Sequence, residues 1–145
     1  MSWTITIPGA PKGKARPRLG AGGNVYSPDP GAYHAIVKKF ATDSGVPCLH
    51  GPVELSIYIT RKIPKSWSKK KKEAAWGQPV DATPDGVNVS ALIHDGLKGV
   101  AYDDDKQVSD QRTVRRWGGG DEVTIIIKDL NAEPAPLTAP SVPQV

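Results

Sequence analysis

The sequence has few of the residues from which covalent cross-links or membrane anchors are built. Cys48 is the single cysteine among 145 residues, which excludes a disulfide-bonded scaffold and a cysteine-based zinc knuckle. No apolar run approaches the roughly 18 residues of a membrane span, and no charged start leads into an apolar signal segment. We therefore expect a soluble, cytoplasmic protein with a core that needs no cross-links.

Several common catalytic patterns are missing as well. The sequence contains no Ser/His/Asp arrangement, no P-loop, no dinucleotide-binding fingerprint, no RNA-type base-stacking motif and no internal repeat. His34 and His94 lie on predicted helices without a metal-spaced partner, and His50 precedes a predicted strand, so we interpret all three histidines as structural or surface residues. These absences leave few enzyme classes open.

Hydrophobic periodicity predicts a small α/β or α+β domain with a mixed sheet of about four strands and two to three helices. Alternating residues predict strands near 3–7, 53–60, 108–117 and 122–128, the last two joined in a hairpin-like turn by the glycines at 118–120. Helical spacing predicts helices near 32–43, 69–76 and 85–97. Residues 10–27 are predicted to form a mobile basic loop. Because four of the last fifteen residues are proline, we divide the chain into a domain over 1–130 and a disordered tail over 131–145.

Charge is more informative in its placement than in its sum of +4. The acids concentrate between Asp81 and Asp110, whereas the basic residues form four groups, at 12–18, 61–65, 69–72 and 112–116. Such an acidic cluster in a basic chain is typical of a protein that holds a polyanion and performs metal chemistry on it. Two solvated faces of opposite sign would give the same counts.

Asp103, Asp104 and Asp105 stand next to one another in this acidic region. Two unit charges about 4 Å apart repel by about 1 kcal/mol in water and about 4 kcal/mol at an effective dielectric constant near 20. A divalent cation reverses this penalty, and Mg²⁺ prefers one or two carboxylates together with waters and phosphate oxygens. Asp85, at the start of the helix that precedes this turn, is a second source of ligands. The alternatives are an ordinary acidic loop and a helix-terminal acid.

A series of short motifs runs along residues 3–130. The first half contains Ile-Thr-Ile-Pro-Gly at 5–9, Gly-Lys-Ala-Arg-Pro-Arg at 13–18, Val-Tyr-Ser-Pro at 25–28 and Ile-Pro-Lys-Ser-Trp-Ser at 63–68. The second half contains Pro84-Asp85 with Asn88, Asp-Gly-Leu-Lys-Gly at 95–99 and Asp-Asp-Lys-Gln-Val at 104–108. This last half is similar to a P-D-x-D-N-x-x-K helix followed by D-x-L-x-G and D-D-x-Q-V. In this order the motifs resemble the RusA-type Holliday-junction endonucleases of bacteria and their phages.

The resemblance implies a homodimer that binds four-way DNA junctions and makes paired cuts with Mg²⁺, for which Mn²⁺ can substitute. Carried over by motif position, Asp85 and Asp105 would be catalytic metal ligands, with Asp104 beside them. We expect the DNA phosphates to be held by the basic groups, namely Lys14, Arg16, Arg18, Lys69, Lys70, Arg112, Arg115 and Arg116. Such an enzyme would act in recombination, repair or phage DNA processing.

Two positions depart from the motif of that family. Val87 stands where the second acid of the helix is expected, and Ala91 stands where its lysine is expected. Valine cannot coordinate Mg²⁺, and loss of one charge-stabilising group can cost about 10²–10³ in rate. Two hypotheses therefore remain open: a working Mg²⁺-dependent endonuclease, and a weakened or inactive relative that binds junctions without cutting. A generic nucleic-acid adaptor is a third.

Overall fold

The computed structural model describes residues 1–11, 18–19, 25–26, 33–81 and 86–131, and for 18–19 and 25–26 it describes the backbone. The strands are β1 (Ser2–Pro8), β2 (Arg18–Leu19), β3 (Val25–Tyr26), β4 (Val53–Lys62), β5 (Val108–Gly118) and β6 (Glu122–Asp129). The helices are α1 (Tyr33–Ser44), α2 (Lys69–Ala75) and α3 (Gly86–Leu97), and a 3-10 helix covers Asp105–Gln107. The predicted strands and helices are found within one or two residues of their expected bounds.

The main sheet has the strand order β1-β6-β4-β5. β4 and β5 are parallel, whereas β6 is antiparallel to both of its neighbours, and β2 pairs with β3 in a separate antiparallel ribbon. Side chains alternate along β4, so its apolar set faces the core and its polar set faces solvent. The predicted small α+β domain with a four-stranded mixed sheet and three helices is confirmed.

The glycine segment after β5 does not form the hairpin-like turn that the sequence suggested. β4 lies between β5 and β6, so residues 119–121 cross over the end of β4. The crossing is held by the Lys62 amide, which donates to Asp121 Oδ1 at 2.9 Å, and by the Ile63 amide, which donates to the Gly118 carbonyl at 3.1 Å. A Cβ on Gly118 would lie 2.6 Å from Thr60 Cγ2, so the close approach requires glycine. Strand periodicity gives the face of each residue but not the partner of each strand.

Helices α1 and α3 cover one face of the sheet and enclose the core. The buried side chains of the sheet come from alternate positions of the strands, such as 53, 55, 57 and 59 of β4. On α1 the buried residues are Tyr33, Val37 and Ala41, whereas Ile36 is 37 % exposed. The two helices cross closely at Gly96, where a Cβ would lie 2.6 Å from the Val37 Cβ. The other face of the sheet carries polar and basic side chains.

Some sequence predictions fall on residues outside the described ranges. The predicted mobile loop at 10–27 is described only at its first two residues and in the β2–β3 pairing, and the predicted tail is described only at Asn131. Asp85 also lies outside the described residues. Among the residues that are described, no helix is long and apolar enough to span a membrane.

Candidate functional site

The three adjacent aspartates point to different partners. Asp103 turns toward the segment before β4, where its Oδ2 lies 2.7 Å from His50 Nδ1 and its Oδ1 accepts a hydrogen bond from Cys48 Sγ at 3.4 Å. The hydrogen bond from His50, followed by that from Cys48, lowers the pKa of the Asp103 carboxyl. Burial and the neighbouring Asp103 raise the pKa of the Cys48 thiol. Asp103 is therefore occupied by a side-chain cluster of its own.

Asp104 and Asp105 form the carboxylate pair of this loop. Asp104 caps the 3-10 helix, and its Oδ1 accepts a hydrogen bond from the Lys106 amide at 3.2 Å. A side-chain hydrogen bond with Asp105, followed by the Lys106 amide, lowers the pKa of the Asp104 carboxyl. Lys98 Nζ lies 4.0 Å from Asp105 Oδ2, whose side chain is 52 % exposed. Two exposed neighbouring carboxylates supply the hard oxygen ligands that Mg²⁺ prefers.

Gln107 holds this loop in place with four hydrogen bonds. Its Oε1 accepts from the amides of Asp103 and Asp104 at 2.8 and 2.9 Å. Its Nε2 donates to the carbonyls of Leu49 and Gly51, also at 2.8 and 2.9 Å. In the sequence, Gln107 belongs to the motif at 104–108, which assigns no role to its side chain. The glutamine three residues after an aspartate cap was the available signal, because that spacing is typical of a capping box.

Helix α3 separates the two parts of the predicted metal site within one chain. Gly86, which follows Asp85 in the sequence, is the first residue of α3, and Lys98, which contacts Asp105, follows its last residue. Twelve helical residues span about 18 Å. Oxygen ligands lie about 2.0–2.1 Å from a Mg²⁺ ion, so two of them lie within about 4 Å of each other. The described carboxylate pair therefore lies at the end of α3 opposite to the residue that follows Asp85.

A groove runs between the start of α3 and the edge strand β5. It has a volume of about 720 Å³, and the residues that matter for its chemistry are Val87, Ser90, Arg112, Thr113, Arg115 and Arg116. By strand alternation, Arg115 lies on the helix-covered face of β5, whereas Arg112 and Arg116 lie on the open face. Val87 is 78 % exposed at this groove. Arg115 is therefore the arginine placed on the helix side of this groove, and the position expected to carry an acid, Val87, faces solvent.

Helix α2 lies against the same end of β5. Backbone hydrogen bonds join the segment after α2 to this strand, from the Gly77 amide to the Trp117 carbonyl at 2.9 Å and from the Trp117 amide to the Gln78 carbonyl at 3.0 Å. Trp67 packs edge-on against Trp117 with ring centroids 5.1 Å apart, and Lys71 Nζ lies 4.1 Å above the Trp67 ring.

The fold thereby brings two of the predicted basic groups, on α2 and on β5, to one end of the molecule. The side chains of Lys69 and Lys70 are exposed beside that end of β5. The side chains of the predicted phosphate-binding residues between 14 and 18 are outside the described part of the chain. Lys14 and Arg16 lie outside the described residues, and Arg18 belongs to β2, for which only the backbone is described.

The His94 ring is held by hydrogen bonds within the fold. Its Nδ1 lies 2.7 Å from the Tyr102 hydroxyl, and its Nε2 lies 2.8 Å from Gln111 Oε1. Because both ring nitrogens have partners, His94 links α3 to β5 and to the buried Tyr102. His50 is different, because it belongs to a cluster with Cys48 and Asp103 that was not expected from the sequence. Cys48 and His50 are two residues apart, but Asp103 follows His50 by 53 residues, so the complete cluster has no spacing motif along the chain.

Comparison with known proteins bears on what this arrangement of acids and arginines does. A family model described as Endodeoxyribonuclease RusA matches residues 8–128, from the last residue of β1 to the next-to-last residue of β6. The chain belongs to the RusA endodeoxyribonuclease family. The uncharacterized protein YqaN of Bacillus subtilis (strain 168) is 30 % identical to it over 139 residues, which cover 88 % of this chain and 96 % of that protein. The resemblance to a family of nucleases that bind branched DNA is therefore confirmed.

Proposed function

We propose that this chain is a Mg²⁺-dependent endonuclease that cuts four-way junctions and other branched DNA in recombination and repair. The observation that carries the proposal is the carboxylate pair of Asp104 and Asp105, held by Gln107 in a chain whose arginines line a groove along β5. Because the proposed substrate is DNA, we also propose a cytoplasmic location.

The carboxylate pair suits a hard divalent cation. Asp104 and Asp105 offer oxygen ligands at the surface, where waters and DNA phosphate oxygens can complete the octahedral shell that Mg²⁺ requires. When bound, such an ion supplies charge neutralisation at the scissile phosphate and activation of water. Mn²⁺ takes the same oxygen ligands. In this proposal Asp104 and Asp105 hold the ion, and Lys98 approaches the scissile phosphate.

Two copies of the chain would complete the set of acids. Since α3 is about 18 Å long, Gly86 and the carboxylate pair lie near opposite ends of this helix within one chain. We propose a homodimer in which Asp85 of one protomer meets Asp105 of the partner subunit. A two-fold axis then produces two equivalent sites, which matches the two symmetric cuts that resolve a four-way junction.

Phosphate contacts are assigned to the basic residues. Those on α2 and β5 would follow the groove, and those between 12 and 18 would add a further grip; in full these are Lys14, Arg16, Arg18, Lys69, Lys70, Arg112, Arg115 and Arg116. Each phosphate neutralised adds about 0.9 to the slope of log affinity against log salt concentration. Binding should therefore depend on DNA shape and weaken steeply with salt.

The test uses a synthetic four-way junction and a duplex of the same sequence, at stoichiometric protein, with Mg²⁺, Mn²⁺ or EDTA. We expect paired nicks near the branch point with either metal and none with EDTA. Asp104→Asn and Asp105→Asn should abolish cutting and retain junction binding, because asparagine also caps helices well. Asp43→Asn, on the exposed side of α1, is the matched control and should cut normally. Equal affinity for junction and duplex at moderate salt would overturn the proposal.

A second candidate function is junction binding without cutting. Val87 is 78 % exposed beside the groove, where the family motif has an acid. Because the site is exposed and in the first turn of α3, an aspartate there costs no burial and interacts favourably with the helix dipole. If the wild type binds junctions without nicking them and the Val87→Asp/Ala91→Lys variant cuts, this second function is established. Nicking by the wild type excludes it.

A further inference from the structure

Cys48, His50 and Asp103 form a compact group of three metal-ligating side chains. One ligand atom from each, Sγ, a ring nitrogen and a carboxylate oxygen, lies within 4.8 Å of the other two. They come from two segments, one directly before β4 and one directly after α3. This group is distinct in chemistry from the Asp104–Asp105 pair, since it combines sulfur, nitrogen and oxygen ligands.

The Cys48–Asp103 distance suits a tetrahedral site, whereas the His50–Asp103 distance is that of a hydrogen bond, which an ion would replace. Zinc binds thiolate at about 2.3 Å and imidazole or carboxylate at about 2.0–2.2 Å, so its ligand atoms lie roughly 3.3–3.6 Å apart. Cys48 Sγ is 3.4 Å from Asp103 Oδ1, and His50 Nδ1 is 2.7 Å from Asp103 Oδ2. The side chain of His50 is 78 % exposed and that of Asp103 is 57 % exposed. Small side-chain rotations toward solvent are therefore enough to admit an ion.

The backbone that carries these three residues is already held together. The Leu49 amide donates to the Ala101 carbonyl at 2.8 Å, and Gln107 bonds the carbonyls of Leu49 and Gly51 as well as the amide of Asp103. The two ligand-bearing segments thus keep their relative position without a metal. Such preorganisation reduces the conformational entropy that the chain loses when a metal ion binds.

We propose that Cys48, His50 and Asp103 bind a divalent transition-metal ion of borderline softness, with Zn²⁺ the best match. A thiolate and an imidazole favour zinc over Mg²⁺, which takes oxygen ligands. Three protein ligands leave a fourth position for water. The bound ion would join the loop of residues 103–107 to the start of β4. The proposal goes beyond the nuclease function, because it does not depend on DNA or on Asp85.

The experiment titrates the metal-free full chain, under reducing conditions, with Co²⁺ as a spectroscopic substitute and then with Zn²⁺. The wild type should bind one Co²⁺ per chain, with near-ultraviolet absorption from a cobalt–thiolate bond and visible bands of a four-coordinate site. One equivalent of Zn²⁺ should remove both signals. Absence of stoichiometric Co²⁺ and Zn²⁺ binding would overturn the proposal.

Variants identify the ligands. Cys48→Ser should remove the near-ultraviolet band. His50→Ala and Asp103→Asn should each weaken Zn²⁺ binding by more than the roughly 10–100-fold that loss of an outer hydrogen-bond partner costs. The matched control His34→Ala, at an exposed position of α1, should bind like the wild type. Unchanged cobalt spectra in Cys48→Ser and His50→Ala would contradict the proposal.

One further variant separates this proposal from the nuclease function. Asp105→Asn should lose DNA cutting while its cobalt spectrum stays unchanged, so either proposal can fail alone. Far-ultraviolet circular dichroism and thermal unfolding of the metal-free variants establish that each of them is folded. The exposure of His50 and Asp103 makes their replacement tolerable to the fold.

Discussion

The hydroxyl groups of two buried tyrosines differ in their hydrogen bonding. Tyr102 is fully buried, and its hydroxyl lies 2.7 Å from His94 Nδ1. Tyr33 is 3 % exposed, and its hydroxyl has no hydrogen-bond partner in the described part of the chain. Because a buried polar group without a partner costs free energy, the same loss of a hydroxyl should have different consequences at the two sites.

Tyr102→Phe should lower the free energy of unfolding by about 1–2 kcal/mol, since it leaves the inward-facing nitrogen of His94 without its partner. Tyr33→Phe should change it by less than about 0.5 kcal/mol or raise it, because the lost hydroxyl is not hydrogen-bonded among the described residues. Urea unfolding of the two variants beside the wild type measures both values. Equal losses would show that the Tyr33 hydroxyl has a partner.

Alkaline pH should destabilise the protein through these same phenols. Burial raises the pKa of Tyr33 to about 12. The phenol of an unfolded chain titrates near 10. The folded state therefore holds this proton more tightly, and its contribution to stability is complete below pH 10 and lost as pH rises toward 12. In urea unfolding at pH 9–11, Tyr33→Phe should show a smaller loss than the wild type, though not none, because burial also raises the pKa of Tyr102.

Gln107 is the residue on which the acidic loop depends most. Gln107→Ala leaves two amides and two carbonyls without their side-chain partner, and we expect a loss of about 2–3 kcal/mol of unfolding free energy. DNA cutting should fall as well, because the Asp104–Asp105 pair loses its support. Gln78→Ala is the matched control, because this position is exposed and its hydrogen bonds to Trp117 and Ala75 are made by the backbone. A Gln107 variant as stable as the control would contradict this role.

At the scale of elements, the closest packing lies where α1 crosses α3. Gly96 occupies the crossing, and an added Cβ would lie 2.6 Å from both the His34 carbonyl oxygen and the Val37 Cβ. Both neighbours belong to the body of α1, so neither can move away without shifting the helix. The separation of the two helices is therefore set by the absence of a side chain.

Gly96→Ala should destabilise the protein by about 1–3 kcal/mol through overpacking, although alanine has the better helix propensity by about 1 kcal/mol. Gly86→Ala, in the first turn of α3, is the matched control. Its Cβ would lie 3.4 Å from Thr113 Cγ2, which is ordinary contact, so it should be neutral or stabilising. Thermal unfolding of the pair separates packing from propensity. A stable Gly96→Ala protein would mean that the helices can move apart.

At the scale of the whole molecule, a two-layer fold leaves one face of the sheet uncovered by helices, and residues 77–80 pair with the edge of β5 at Arg115–Trp117. The groove follows residues 111–116 of β5, whereas Asp104 and Asp105 precede the first residue of this strand. A single chain therefore presents the groove and the Asp104–Asp105 pair apart from each other. In the proposed homodimer, each groove would direct bound DNA toward a metal site whose acids come from both chains.

Mixed dimers test this arrangement. A dimer of one Asp85→Asn chain and one Asp105→Asn chain would have one site with both changes and one intact site, if each site is shared between subunits. We expect such mixtures to nick one strand of a junction, whereas either variant alone is inactive. If both acids came from the same chain, every site would carry one change and the mixture would stay inactive. Gel separation of nicked strands after mixing gives the answer.

The periodicity of the sequence was enough to predict most of the secondary structure. Alternating apolar residues in β4 and helical spacing in α3 predicted both elements, because burial of one face is a local requirement that each segment records. The motifs around Asp104 and Gln107 also identified the family. The pairing of β5 with β4 rather than β6 was not predictable in this way, since strand order depends on contacts between distant residues.

What the sequence by itself determined is the set of elements, the face that each one buries and the family to which the chain belongs. Only the tertiary structure decided that β4 lies between β5 and β6, and that Cys48, His50 and Asp103 meet. The physical reason is that local patterns record whether a side chain is buried. The neighbours of a side chain depend on how helices and strands separated by tens of residues pack together.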